Sequence, residues 1–173
     1  MKKLNTKMIA IMALYCAIFV ILDRISDLLN LFQMPSGGKL NFGPIALLMC
    51  SYHLGWKNGL LVGILSVFLQ LVIGSVGFYG IWSFLLDYLI AYAAYGVAEL
   101  FPNHGYFYSG VLITSLIRLA SSTLSGTLLW ETPLWSSLVY NASDMVPTTL
   151  CAIIVVPLLC ERLKPAWKRL KID

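Results

Sequence analysis

Six apolar stretches dominate this chain and restrict its fold more than any other feature. They run over roughly residues 8–26, 42–55, 58–74, 80–100, 106–128 and 136–160. About 20 apolar residues make a helix long enough to cross a bilayer. Backbone inside lipid must satisfy its own hydrogen bonds, so helices are the expected form. Only 12% of the 173 residues are charged, whereas soluble domains are nearer a quarter. The expectation is an all-α membrane protein, one domain over residues 1–173, folded as a six-transmembrane-helix bundle. The second stretch is the shortest, and its limits are the hardest to draw. The segment after MKKLNTK has the look of a secretory signal, but no small-residue cleavage site closes it. It reads as a retained first helix.

The net charge of +4 gains meaning once it is placed on this map. With both termini cytoplasmic, Lys2, Lys3, Lys7, Lys57, Arg162, Lys164, Lys168, Arg169 and Lys171 fall inside. Lys39 then lies outside and Arg24 near the outer edge. That is the positive-inside asymmetry. The basic tail WKRLKID is short and follows a membrane segment, so it reads as a topology anchor and not as a nucleic-acid surface. Cys16, Cys50, Cys151 and Cys160 sit singly in apolar stretches with no Cys-x-x-Cys spacing. They are expected to pack, with neither a disulfide framework nor a metal site.

The fourth stretch, GIWSFLLDYLIAYAAYGVAEL, carries one carboxylate, Asp87, a third of the way along. A charge at membrane depth costs at least a few kcal/mol unless it is paired or faces a polar cavity. Asp87, Ala91, Ala94 and Ala98 fall at helical spacing and are predicted to share one stripe, with Tyr88, Tyr92, Tyr95 and Glu99 beside it. The next two stretches carry polar stripes as well. Thr114, Arg118, Ser121 or Ser122, and Ser125 form one; Ser137, Asn141, Asp144 and Thr148 form the other. Polar side chains within a bundle need partners or water, so the three helices are expected to turn these faces toward one another. Arg118 and Asp144 are expected to make a structural ion pair, whereas Asp87 is expected to hold a ligand.

Other features have plainer readings. Gly59, Gly63, Ser66, Gln70 and Gly74 make a small stripe with a G-x-x-x-G, which signals close helix packing. His53 and Trp56 fall at a cytoplasmic turn and read as interfacial. Trp130 and Trp135 flank the loop LWETPLW at the outer interface, where an aromatic belt is the ordinary explanation. The loop MPSGGKLN lacks the spacing of a nucleotide-binding loop and reads as a flexible outer lid. An acid, an amide and aromatic walls together suit a flat, nitrogen-rich, cationic solute. No nucleophile–base order and no paired acids suggest catalysis.

Taken together, the MPSGG loop, FLLDYLIAYAAYGVAELF and SLVYNASDMVP resemble an S component, the substrate-capturing membrane subunit of an energy-coupling factor vitamin transporter. The likeness is greatest to the thiamin branch. It implies a bundle in the bacterial cytoplasmic membrane, with a pocket near the outer face under the first long loop. It also implies that ATP is consumed by two separate ATPase subunits, so this chain needs no cofactor. Ala13 and Ala17 resemble the family's alanine motif, which docks onto the transmembrane coupling subunit. For the pocket, the resemblance implies Asp87, Tyr88, Trp130 and Asn141. It also points to Asn41, Ser122 and Ser136, which stand where thiamin binders carry a glutamate, a histidine and a tyrosine. Those departures leave thiamin and its pyrimidine half, hydroxymethylpyrimidine, as competing ligands, with a pyridoxine-like ring third. Two other classes are weighed against this reading. A small membrane enzyme acting on a lipid would rest on Asp23 and Asp27 alone. A purely structural subunit would leave the three polar stripes without purpose.

Overall fold

The computed structural model describes residues 5–29, 40–74 and 78–170. The glycine-rich loop with Lys39 therefore lies outside the described residues, as do Lys2, Lys3 and Lys171. Helix α1 spans Thr6–Leu29, α2 Gly43–Leu54, α3 Trp56–Ile73, α4 Ile81–Tyr95, α5 Ser109–Leu129 and α6 Leu134–Arg169. Of these, α1, α3, α5 and α6 are long and apolar enough to cross a membrane; α2 and α4 are shorter. The all-α expectation holds apart from a small antiparallel hairpin, β1 (Asn103–His104) with β2 (Phe107–Tyr108). It turns at Gly105, whose φ of 60° suits glycine. The fifth apolar stretch thus begins as a strand, and its helix starts three residues later than expected.

Each helix follows from its apolar pattern. In α1, Asn5 caps the start by accepting the Met8 amide at 2.8 Å. Met8, Met12, Tyr15, Cys16, Phe19, Asp23 and Ser26 turn one face inward, while Ile9, Leu14, Ile21 and Leu28 stay exposed. In a bilayer, that outer face meets lipid. Ala13 and Ala17 lie on it and are exposed. Helix α2 is buried on all sides from Gly43 to Ser51 and forms the centre of the bundle, as a helix without a polar face should. Pro44 sits in its first turn, where a missing amide proton costs nothing. Helix α3 ends at Gly74, in the left-handed region with φ 76°, and Arg24 donates to the Ile73 carbonyl at 3.0 Å. A cation at a helix C-terminus opposes the dipole there.

Helix α6 runs nine residues past the stretch expected for it. It continues through Pro147, Pro157 and Pro165 to Arg169. Prolines are tolerated in membrane helices because neighbouring groups re-satisfy the freed backbone. The basic residues Lys168 and Arg169 then fall in its last turn, a favourable place for positive charge.

The two ends of the bundle differ in character. At the end holding the start of α1 and the close of α6, packing is tight. There the Tyr15 hydroxyl and His53 Nδ1 are 2.9 Å apart, and the His53 ring stacks on Trp167 at 4.4 Å. His53 is thus half-buried among three helices, a deeper place than an interfacial residue takes. At the other end, α4, α5 and α6 diverge around a cavity.

Candidate ligand-binding site

The cavity holds about 640 Å³, within the range of sites that enclose small molecules. Helix α4 contributes Ser83, Asp87 and Tyr88 to its lining, and α5 contributes Arg118, Ser122 and Gly126. Ser136, Ser137, Asn141 and Asp144 come from α6, with Tyr79, Trp130 and Thr132 from the connecting segments. The three polar stripes do converge.

Asp87 owes its position to a local departure from the α-helix. Phe84–Ile90 form a π-helical turn, flanked by α-helical residues on both sides. Single π-turns inside α-helices recur at functional sites. The wider turn breaks the predicted stripe: Asp87 faces the cavity, whereas Ala91, Ala94 and Ala98 are buried in the packed half of the bundle. Helix α4 also stops at Tyr95, so Glu99 belongs to a separate 3-10 turn, Ala98–Leu100. Its backbone amide donates to Ser51 Oγ at 3.0 Å, and its carboxylate accepts the Trp56 amide at 3.3 Å.

Two hydroxyls hold the Asp87 carboxylate. Ser83 Oγ donates to Oδ2 at 2.8 Å and Ser125 Oγ donates to the same oxygen at 2.6 Å. Both bonds fall on Oδ2, which leaves Oδ1 for the cavity. Ser121 Oγ donates to the Leu86 carbonyl at 2.6 Å and ties the π-turn to α5. Hydrogen bonds to a charged acceptor are the strong ones, so the acid is oriented before any ligand arrives.

The walls are aromatic on one side. Tyr79 and Trp130 meet edge to face at 5.5 Å, and Trp130 is about half exposed. Tyr88 lines the cavity beside Asp87. On α6, Asn141 donates Nδ2 to the Ser137 carbonyl at 2.9 Å, one turn earlier. Gly126 brings α5 close to α6: a Cβ there would lie 2.2 Å from Ser137 Oγ and 3.2 Å from its Cβ, so the serine hydroxyl would have to swing aside. Deeper, Arg118 Nη2 lies 3.7 Å from Asp144 Oδ2, and its guanidinium sits 4.8 Å from the Tyr92 ring centroid. The expected ion pair is present, but as part of the cavity lining and not apart from it.

Six of the seven residues expected to meet a ligand therefore line one cavity: Asp87, Tyr88, Trp130, Asn141, Ser122 and Ser136. Asn41 does not. It is buried, and its polar groups are committed elsewhere. Its amide donates to Thr148 Oγ1 at 3.0 Å, Nδ2 donates to Asp23 Oδ1 at 2.9 Å, and Oδ1 accepts the Gly43 amide at 2.7 Å. It ties α1, the start of α2 and α6 together. Asp23 accepts from Asn41 and Asp27 lies 3.8 Å from Arg24, and neither lines the cavity. Tyr79 and Ser83 were not foreseen. A serine one helical turn before Asp87 was the available signal for the second; nothing in the sequence marks the first.

The family described as Thiamine transporter protein (Thia_YuaJ) matches residues 9–167. The chain belongs to this family. Thiamine transporter ThiT of Bacillus subtilis (strain 168) is 33% identical over 183 residues, covering 93% of this chain and 92% of that protein. A solved structure of ThiT from Listeria monocytogenes superposes with a TM-score of 0.73 at 17% identity, covering 94% of this chain and 99% of that one. At that identity the match speaks for the fold. Membership in the thiamine transporter family agrees with the resemblance carried by FLLDYLIAYAAYGVAELF and SLVYNASDMVP. It also places the chain among transporters and not among enzymes.

Proposed function

We propose that this chain is the thiamin-capturing S component of an energy-coupling factor importer in a bacterial cytoplasmic membrane. The observation that carries the reading is the Asp87 carboxylate, held through Oδ2 by Ser83 and Ser125 in an aromatic-walled cavity. Asp87 Oδ1 receives the cationic, nitrogen-rich ligand, Asn141 reads a ring edge, and Trp130 and Tyr88 supply faces that attract a cation. Ser122 and Ser136 leave room where bulkier side chains would touch the ligand. The bundle crosses the membrane six times with both termini cytoplasmic, so the cavity opens outward and the basic end of α6 lies inside, as the charge asymmetry requires. ATP is hydrolysed by two partner subunits, and a transmembrane coupling subunit docks on the exposed face of α1.

The test is a binding titration of the purified protein, followed through its tryptophan fluorescence. Because Trp130 lines the cavity, thiamin should quench emission with submicromolar affinity. The quench should shrink in Trp130→Phe while other reporters of binding persist. Tighter binding of hydroxymethylpyrimidine would reassign the ligand to the precursor, and tighter binding of pyridoxine would remove thiamin altogether.

Docking is separable from binding. Ala13→Trp adds bulk to an exposed position on α1, far from the cavity. Small residues let helices approach closely in lipid, so this variant should bind thiamin normally yet lose most ATP-driven uptake in cells. Uptake at the parental rate would move the docking face off α1.

A further inference from the structure

We propose that Met145 is a specificity-determining partition: it closes the cavity against an apolar groove on the lipid side of α5 and α6, and so excludes ligands that carry an alkyl chain. This rests on the thiamin-binding reading above. The residues lining the cavity are polar, charged or aromatic, apart from Gly126 and Met145. Met145 is 5% exposed, yet it stands outside the main apolar core of the bundle. Core packing therefore does not account for it.

What lies behind it does. A second space of about 170 Å³ follows the seam of α5 and α6, with Leu112, Leu116, Leu119, Leu150 and Ile153 in its walls. These residues precede Ser122 on α5 and follow Asn141 on α6, so the groove continues the cavity toward the packed end of the bundle. Among the described residues, Met145 is the one that lines both spaces. Leu116 and Leu150 are more than half exposed, and in a bilayer they meet lipid. A flexible thioether fills irregular gaps well, which suits a wall between a polar space and an apolar one. Shortening it would join the two and give an alkyl chain somewhere to go.

The experiment compares thiamin with two analogues, one carrying a hexyl chain at each end of the molecule. In the first, hexyl replaces the pyrimidine methyl; in the second, it is an ether on the hydroxyethyl arm. Each is titrated against the wild type, Met145→Ala and Met145→Leu. The analogue whose chain points at Met145 should bind the wild type at least about tenfold more weakly than thiamin, since overpacking a filled space is costly. In Met145→Ala it should regain about tenfold or more relative to thiamin, because each methylene taken out of water is worth roughly fourfold. Met145→Leu keeps the bulk of the wall and should discriminate as the wild type does. Met145→Val carries the test if the alanine variant does not fold. Adding Leu116→Trp to Met145→Ala fills the groove from its lipid side and should cancel the gain. If neither analogue gains on thiamin in the shortened variants, or the gain survives Leu116→Trp, the partition is overturned and the functional reading stands. A wild type that does not bind thiamin would overturn the functional reading and this proposal with it.

Discussion

Asp87→Asn should abolish most ligand affinity without harming the fold. The substitution keeps the size and shape of the side chain, and Ser83 and Ser125 can still donate to its amide oxygen. What it removes is the negative charge facing a cationic ligand. Truncating one member of a buried charge pair costs about 2–5 kcal/mol, which is roughly thirtyfold to several thousandfold in the dissociation constant. In the free protein the change should be close to neutral or stabilising, because a charge at membrane depth is expensive to keep. The two effects have opposite signs, and this separates the acid's binding role from a structural one. The expected result is a variant that inserts, purifies and melts like the parent but no longer quenches with thiamin. A variant that misfolds would make Asp87 a helix-pairing acid. One with unchanged affinity would remove it from the site.

Much of this arrangement could be seen in the amino-acid order, and the parts that could not have identifiable causes. Hydropathy located the helices because lipid forces the backbone into local hydrogen bonding, so an apolar stretch has few alternatives. Facing of the polar stripes followed from the same constraint, and Asp87, Ser122 and Asn141 meet as expected. The π-turn at Phe84–Ile90 was hidden, because no glycine or proline marks it and FLLDYLI is as good an α-helix as any. Its consequence was a stripe drawn correctly on an ideal helix but broken in the real one. Asn41 misled for another reason. An asparagine at that place in the chain could be a ligand contact or a tie between helices, and only the bonds to Asp23, Thr148 and Gly43 decide for the tie. Helix α6 outruns its apolar stretch, which ends near residue 160, because it carries its basic residues within its last turns.

Gly96→Val should prevent assembly of the bundle. Helix α3 and the end of α4 meet backbone to backbone at Gly59 and Gly96, and a Cβ on Gly96 would sit 2.4 Å from the Gly59 carbonyl carbon and oxygen. From the opposite side, a Cβ on Gly59 would lie 2.3 Å from the Gly96 oxygen. Neither obstacle is a side chain that could swing aside, so the helices must separate by more than an ångström. Separation would undo the contact of Gly63 with Ala93 and Tyr92 in the same crossing. It would also pull Glu99 from Ser51 and Trp56. Ordinary overpacking of a core costs about 1–3 kcal/mol; here the cost exceeds that range, because rigid backbone is opposed on both sides. Expression in membranes should fall to a small fraction of the parent's, with no folded species after detergent extraction. Ala13→Val provides the control, since it adds the same branched side chain on the exposed face of α1 and should leave expression unchanged. If Gly96→Val yields a folded, thiamin-binding protein, the crossing of α3 and α4 is wider than described. The G-x-x-x-G at Gly59 and Gly63 would then have no packing role.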